Sequence, residues 1–401
     1  MVLPTSRPSS TGRSLVTVGG ALLCGLLAVP AHAAADGGDD LRTTSAPAGP
    51  AAQVAWLDGR RLRVATPDGA SRTVGRLLHG ARGDVELQLS GAGDVLAVTT
   101  ARQSWVVPVA AGGVPSRLRH DGDDVLTGGA LRFSPDGRRL LLVGGGTLVR
   151  CPVAPVGDCA VDARNALSEH GASWSPDGSR YAYVRAPAGA AGSSDVGDLV
   201  VADPSEPGAT HVVQRTTTTG RGARRTVSYP TPPIWTADGL SWSVVVGRDD
   251  GPARRVRTRT QGTDGRIRTV FSAPAERGGV ALPFVAASGS PDGGLVGLRV
   301  RDVAERRRDG TDHRDVVDLQ RGDGTGIRDY GVDVPVRDDR GDRVLGLLAD
   351  GRVAVESRAF GGSGVRQLRL AVPGRTSLGR PVARGEAVTV ATPYPNEARD
   401  Y

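Results

Sequence analysis

Leu131-Arg132-Phe133-Ser134-Pro135-Asp136-Gly137-Arg138-Arg139-Leu140-Leu141-Leu142-Val143 reads as a strand, a tight turn and a second strand. Proline presets φ for the first turn position, aspartate suits the second, and glycine takes φ > 0 as the chain turns back into the ladder. The phrase returns as Ser173-Trp174-Ser175-Pro176-Asp177-Gly178 before Tyr181-Ala182-Tyr183-Val184. It returns again as Ile234-Trp235-Thr236-Ala237-Asp238-Gly239 and as Ser290-Pro291-Asp292-Gly293. Weaker copies are Leu89-Ser90-Gly91-Ala92-Gly93-Asp94 and Leu347-Leu348-Ala349-Asp350-Gly351.

The aspartates Asp94, Asp136, Asp177, Asp238, Asp292 and Asp350 therefore mark six units, with the widest gap between Asp177 and Asp238. Units of roughly 40 to 60 residues with a hairpin in each predict the blades of an all-β propeller, four strands to a blade. Thr147-Leu148-Val149-Arg150, Leu199-Val200-Val201-Ala202-Asp203 and Val316-Val317-Asp318-Leu319-Gln320 supply further strands of their units. A seventh unit starts incomplete, with strands at Val54–Gly59 and Leu62–Gly69 but no first strand. Glu386-Ala387-Val388-Thr389-Val390-Ala391-Thr392 is left over at the other end. If the two ends share one blade, the ring closes and its open edges vanish. Seven blades are favoured, with six as the alternative. Phe133, Trp174 and Trp235 are then expected in equivalent buried places at the ends of the innermost strands.

The Ser-Pro-Asp-Gly turn preceded by Trp or Phe resembles the WD-repeat-like propeller repeat of the TolB family. The same repeat occurs in the propeller domains of prolyl-oligopeptidase-type enzymes. The likeness spans residues 52–393. In the TolB family it implies a non-catalytic propeller that serves protein–protein contact in the cell envelope; the alternative is a propeller whose central channel binds a glycan or another small ligand, or acts on it as an enzyme.

Residues 1–33 read as a secretory signal: Arg7 and Arg13 precede an apolar run from Leu15 to Val29, and Ala31-His32-Ala33 is a small-x-small cleavage site. Fifteen apolar residues are short for a membrane span of about 20. Leu23 before Cys24 argues against lipidation, and no Arg-Arg pair lies near the start. Residues 34–51, poor in apolar side chains, read as a disordered linker, and 394–401 as a C-terminal tail.

All 50 basic residues are arginine, as in proteins of high-GC genomes. Loss of Arg7 and Arg13 lowers the formal charge of +7 to +5. Spread over a propeller, that charge does not call for nucleic acid. It leaves an acidic protein of the envelope or outside the cell, or an anionic wall polymer, as the expected partner of a monomer. Beyond Cys24 the chain holds Cys151 and Cys159. An even pair in an exported chain predicts a disulfide, across a hairpin of Thr147–Val153 and Cys159–Ala163.

Catalytic signatures are missing. There is no Gly-x-Ser-x-Gly elbow, and Gly361-Gly362-Ser363-Gly364 has the wrong spacing. His79, His120, His170, His211 and His313 are too far apart in sequence for a zinc helix motif. No cofactor motif appears. The recurrent Asp-Gly pairs, Gly137, Gly178, Gly239, Gly293 and Gly351 included, are read as turn scaffold. The stretch Thr216–Pro233 breaks the rhythm, with Arg221, Arg224, Arg225 and Tyr229 on a long insertion between Asp177 and Asp238. Arginine and tyrosine are the residues of binding hot spots, so these four are the candidate partner contacts.

Overall fold

The computed structural model describes residues 41–42 and 53–395, apart from 67–68, 78–84, 101, 111–113, 125–129, 168–170, 188–195, 207, 222–224, 232, 237–238, 249–252, 275, 278–279, 282–287, 290–294, 308–309, 323–326, 337–342, 349–351, 359–364, 373–378 and 393. Between 271 and 344 it describes backbone only. The expected signal, Asp238, Asp292, Gly293, Asp350, Gly351 and Arg224 lie outside the described residues.

The described residues are strands and connecting turns, without a helix. Among the described residues, seven antiparallel sheets carry four strands or more. Sheet 1 joins the chain ends: Ala387–Val390 pairs with Val54–Asp58, which continues into Arg61–Ala65 and Ser71–Leu77. Val54 faces Val390 and Leu57 faces Ala387 across that junction. Sheet 2 is Glu86–Leu89, Val95–Thr99, Ser104–Pro108 and Ser116–Arg117. Sheet 3 is Ala130–Phe133, Arg139–Gly144, Thr147–Pro152 and Ala160–Ala163. Sheet 4 is Ala172–Trp174, Tyr181–Arg185, Asp198–Ala202 and Thr210–Gln214.

Sheet 5 is built on Gly239–Arg248, Ala253–Gly262 and Ile267–Pro274. Sheet 6 is Ser288–Gly289, Leu295–Arg307, Gly310–Gly322 and Ile327–Val336. Sheet 7 is Arg343–Leu347, Val353–Arg358, Arg366–Ala371 and Ala383–Gly385. Both segments read as irregular join sheets in part. Leu41–Arg42, within the expected linker, pairs with Leu77 and Arg76, and Tyr394–Pro395, within the expected tail, pairs with Leu347 and Gly346.

The packing explains the unbroken apolar run at Leu140. Strands buried on both faces have no reason to alternate with polar residues. Leu140 and Leu142 enter a core shared by sheets 2 and 3, whereas Leu141 and Val143 enter one shared by sheets 3 and 4. Tyr181 and Tyr183 face sheet 3, while Ala182 faces sheet 5 beside Trp242. A further core joins sheets 1 and 2, and another joins sheet 7 to sheet 1 through Leu348, Leu368, Trp56 and Val388. Each of these interfaces buries several large side chains, each worth about 1.5–3 kcal/mol of transfer energy.

Cys151 and Cys159 form a disulfide. Cys151 sits on Thr147–Pro152, and Cys159 directly precedes Ala160–Ala163, so the bridge closes the hairpin at the edge of sheet 3.

Candidate functional site

The repeated turns are organised by serine more than by aspartate. In the copy at Ser134 the backbone N–H of Ser134 donates to Arg139 O at 2.8 Å, and Gly137 N donates to Ser134 O at 2.8 Å. The Ser134 hydroxyl donates to Asp136 Oδ1 at 2.5 Å and accepts from Arg139 N at 2.9 Å. Ser175 repeats this, donating to Asp177 Oδ1 at 2.6 Å and accepting from Arg180 N at 2.9 Å. Gly137 and Gly178 have φ of 68° and 66°, a region that side chains disfavour, which is why glycine stands there.

The copy at Ser90 differs from the sequence reading. Gly93, at φ 72°, takes the place of Gly137, so Ala92 stands where Asp136 does and Asp94 is displaced by two residues. Asp94 still accepts from the Ser90 hydroxyl at 2.5 Å, because its side chain reaches back across the turn. The copy at Trp235 is shortened. Trp235 pairs with Leu240 across four residues, whereas Trp174 pairs with Tyr181 across six. Gly239 approaches Gln261 so closely that a Cβ would lie 2.0 Å from its carbonyl oxygen.

These bonds tie up the carboxylates. The Ser175 hydroxyl, the Ser179 amide and the Ser179 hydroxyl hold Asp177 down to about 2. At Asp136 burial works upward, but bonds from Ser134 and Arg138 and the charges of Arg139 and Arg138 leave it below the usual range. A depressed carboxylate adds stability above its unfolded value near 4 and loses that stability as pH falls through its folded value. The thermal midpoint of the protein should therefore drop between about pH 4 and pH 2. Asp177→Asn should lower the midpoint at neutral pH and flatten part of that acid slope. An unchanged slope in the variant would remove Asp177 from this account.

A second regularity was not read from the sequence. The residue five positions after each turn serine meets the aromatic residue of the next repeat. The Arg139 guanidinium lies over the Trp174 ring at 4.7 Å from its centroid, and Arg180 lies over Trp235 at 5.4 Å. In the degraded copy Val95 occupies this place and packs in the same core as Phe133. Each Arg–Trp contact is worth on the order of 1 kcal/mol. Of the three aromatic residues, only Trp174 is buried; Phe133 and Trp235 are half-buried. The signal was present as an arginine 35 residues before Trp174 and another 55 before Trp235, but two copies are too few to stand out in an arginine-rich chain.

The insertion is not an irregular loop. Thr217–Thr219 and Thr226–Pro230 form a hairpin, and Thr226–Pro230 pairs with Gly239–Arg248, beside Ile234–Thr236 on the same strand. Tyr229 lies in that strand opposite Val245, half-buried, so it is part of the sheet. Arg221 and Arg225 are exposed at the turn of the hairpin. The structure thus brings Arg221 and Arg225 together at one end and sets Tyr229 apart on the sheet.

Between sheets 4 and 5 lies a cleft of about 520 Å³. Val201, Val213, Leu240 and the Trp235 ring give it an apolar wall, with Arg180 and His211 among its polar groups. Among the described residues, no three His, Cys, Asp or Glu side chains are placed to hold a metal ion.

Antiparallel sheets of four strands or more following one another along the chain, with cores shared in turn from sheet 1 to sheet 5 and between sheets 7 and 1, define a chain of propeller type. Its backbone is similar to TolB from Acinetobacter baumannii, at 15% identity over 71% of this chain and 64% of that one, with a TM-score of 0.40. It is also similar to the β-propeller domain of Cps50 (Swd1) from Myceliophteria thermophila, at 14% identity over 75% and 86% of the two chains, with a TM-score of 0.47. A third similar structure is an oligogalacturonate lyase from Vibrio parahaemolyticus, at 11% identity over 83% and 86%, with a TM-score of 0.48. This chain spans less than two thirds of the Acinetobacter protein. No protein-family model and no curated relative matches the sequence.

Proposed function

We propose that the chain is an exported, closed propeller of seven blades that acts as a non-catalytic scaffold for an acidic partner in the cell envelope. Seven sheets, the pairing of Ala387–Val390 with Val54–Asp58, and the core between sheets 7 and 1 support the closed ring. Arg7, Arg13 and the Ala31-His32-Ala33 site support export. The observation that carries the functional reading is the hairpin of sheet 5. It is anchored by pairing with Gly239–Arg248 and holds Arg221 and Arg225 out in solvent. A paired strand beside Arg225 leaves less of the chain to order when an acidic surface binds there. Charges at such a rim act chiefly on encounter rate and are weakened by salt.

Arg221→Ala/Arg224→Ala/Arg225→Ala should leave the unfolding midpoint near the parent's, as surface changes shift stability by about 0.5 kcal/mol or less. Capture of the partner from the native envelope fraction should weaken, and its salt dependence should flatten. A triple variant that captures as the parent does at low salt removes the hairpin from the reading.

A further inference from the structure

The repeat supplies an internal comparison for the cleft between sheets 4 and 5. Arg139 and Arg180 occupy the same place in successive turns, and both stack on the tryptophan of the next repeat. Arg139 also donates from Nη2 to Gly178 O at 2.6 Å. Gly178 belongs to a full-length turn. The next turn, at Gly239, is two residues shorter. Among the described residues no acceptor is bonded to the Arg180 guanidinium. That side chain is exposed and lines the cleft of about 520 Å³.

A guanidinium stacked on a ring keeps its in-plane N–H fork free, and that fork matches the two oxygens of a carboxylate. Asp203 also lines the cleft, and its charge interacts with that of Arg180. Its Oδ1 is engaged by the Ser205 amide at 2.8 Å and the Ser205 hydroxyl at 2.6 Å. Beside the cation, the wall of Val201, Val213, Leu240 and Trp235 offers apolar contact for a ring. The volume lies in the range of small-molecule sites, which pair a mostly apolar lining with a few polar groups.

From this geometry we infer that the cleft between sheets 4 and 5 binds a small ring-bearing carboxylate, with the acid group on Arg180 and the ring against Trp235 and Val213. The chemistry is shared by a free aromatic acid and by an acidic sugar unit of a glycan. This site lies apart from the exposed arginines of the hairpin and does not depend on the scaffold reading.

The test is ligand-observed NMR on the full chain, with benzoate and glucuronate as probes and benzyl alcohol and glucose as their neutral counterparts. At least one acid should bind with a Kd of millimolar order or tighter, and its neutral counterpart at least tenfold more weakly. Preference for benzoate or for glucuronate tells the two sources apart. Arg180→Gln should weaken the acid at least tenfold, whereas Arg221→Ala, which removes an exposed charge elsewhere, should change it less than twofold. Val213→Phe, which fills the cleft, should abolish binding at an unchanged thermal midpoint, and it decides the matter if Arg180→Gln fails to fold. Equal binding of acid and neutral probes, parent-like binding by both variants, or no binding of either acid at about 10 mM overturns the inference.

Discussion

Asp162→Ala is expected to destabilise the protein by about 3 kcal/mol, the cost of stripping one partner from a buried ion pair. Asp162 sits on the outer strand of sheet 3 with its side chain 5% exposed, and Arg150, on the neighbouring strand, is 20% exposed. Arg150 Nε donates to Asp162 Oδ2 at 2.8 Å, and the Tyr181 hydroxyl of sheet 4 donates to the same oxygen at 2.7 Å. Arg150 Nη2 reaches Pro204 O, also of the sheet 4 unit, at 3.3 Å. One carboxylate therefore ties two sheets together. Burial, and then the bond to Asp162, push the Tyr181 phenol upward, so it stays protonated and keeps donating at alkaline pH.

Alanine leaves the Arg150 charge and the Tyr181 hydroxyl without their acceptor in a place water enters poorly. Thermal melting should show a drop of several degrees. Combining Asp162→Leu with Arg150→Met should recover much of the loss, because removing both charges removes the orphan. A single Asp162→Ala variant that melts with the parent would show that solvent already satisfies Arg150 and Tyr181.

That clamp lay beyond the sequence, whereas the sheets around it did not. The strand–turn–strand phrase at Ser134 was legible because it is local: proline, aspartate and glycine act within four residues, and each copy repeats the same physics. Where a copy had decayed, the reading slipped. At Ser90 the register of Asp94 was misplaced by two residues, since a side chain that reaches back from a later position leaves no distinct local mark. From sequence the hairpin at Thr217–Pro230 reads as an irregular insertion, because its threonine and arginine content resembles a solvated loop. What makes it a strand is the free edge of Gly239–Arg248, a long-range fact. Asp162, Arg150 and Tyr181 meet across sheets, and the cleft is lined by residues of two sheets. Neither follows from composition or spacing.

The disulfide was legible, since two cysteines eight residues apart in a chain read as exported leave few alternatives. Its energetic weight follows from where it sits. Cys151 and Cys159 are both buried in the core shared by sheets 2 and 3, with Leu140, Leu142 and Leu118. The Cys159 amide donates to Arg119 O at 2.8 Å, and its carbonyl oxygen is 2.7 Å from His120 Nδ1. The bridge thus fixes the outer strand of sheet 3 and, through Cys159, the segment that follows sheet 2. Closing a loop of this length in the unfolded chain is worth roughly 2–3 kcal/mol in the entropy picture.

Cys151→Ala/Cys159→Ala should therefore lower the urea midpoint of the oxidised protein by that equivalent. Addition of reductant should bring the parent down toward the double variant and leave the variant where it is. Alanine rather than serine is the informative replacement, since a buried hydroxyl would add its own penalty. If reductant leaves the parent's midpoint untouched while peptide mapping shows both thiols free, the strand pairing of Thr147–Pro152 with Ala160–Ala163 holds this edge by itself. The stabilisation then resides in the core around Leu140, not in the bridge.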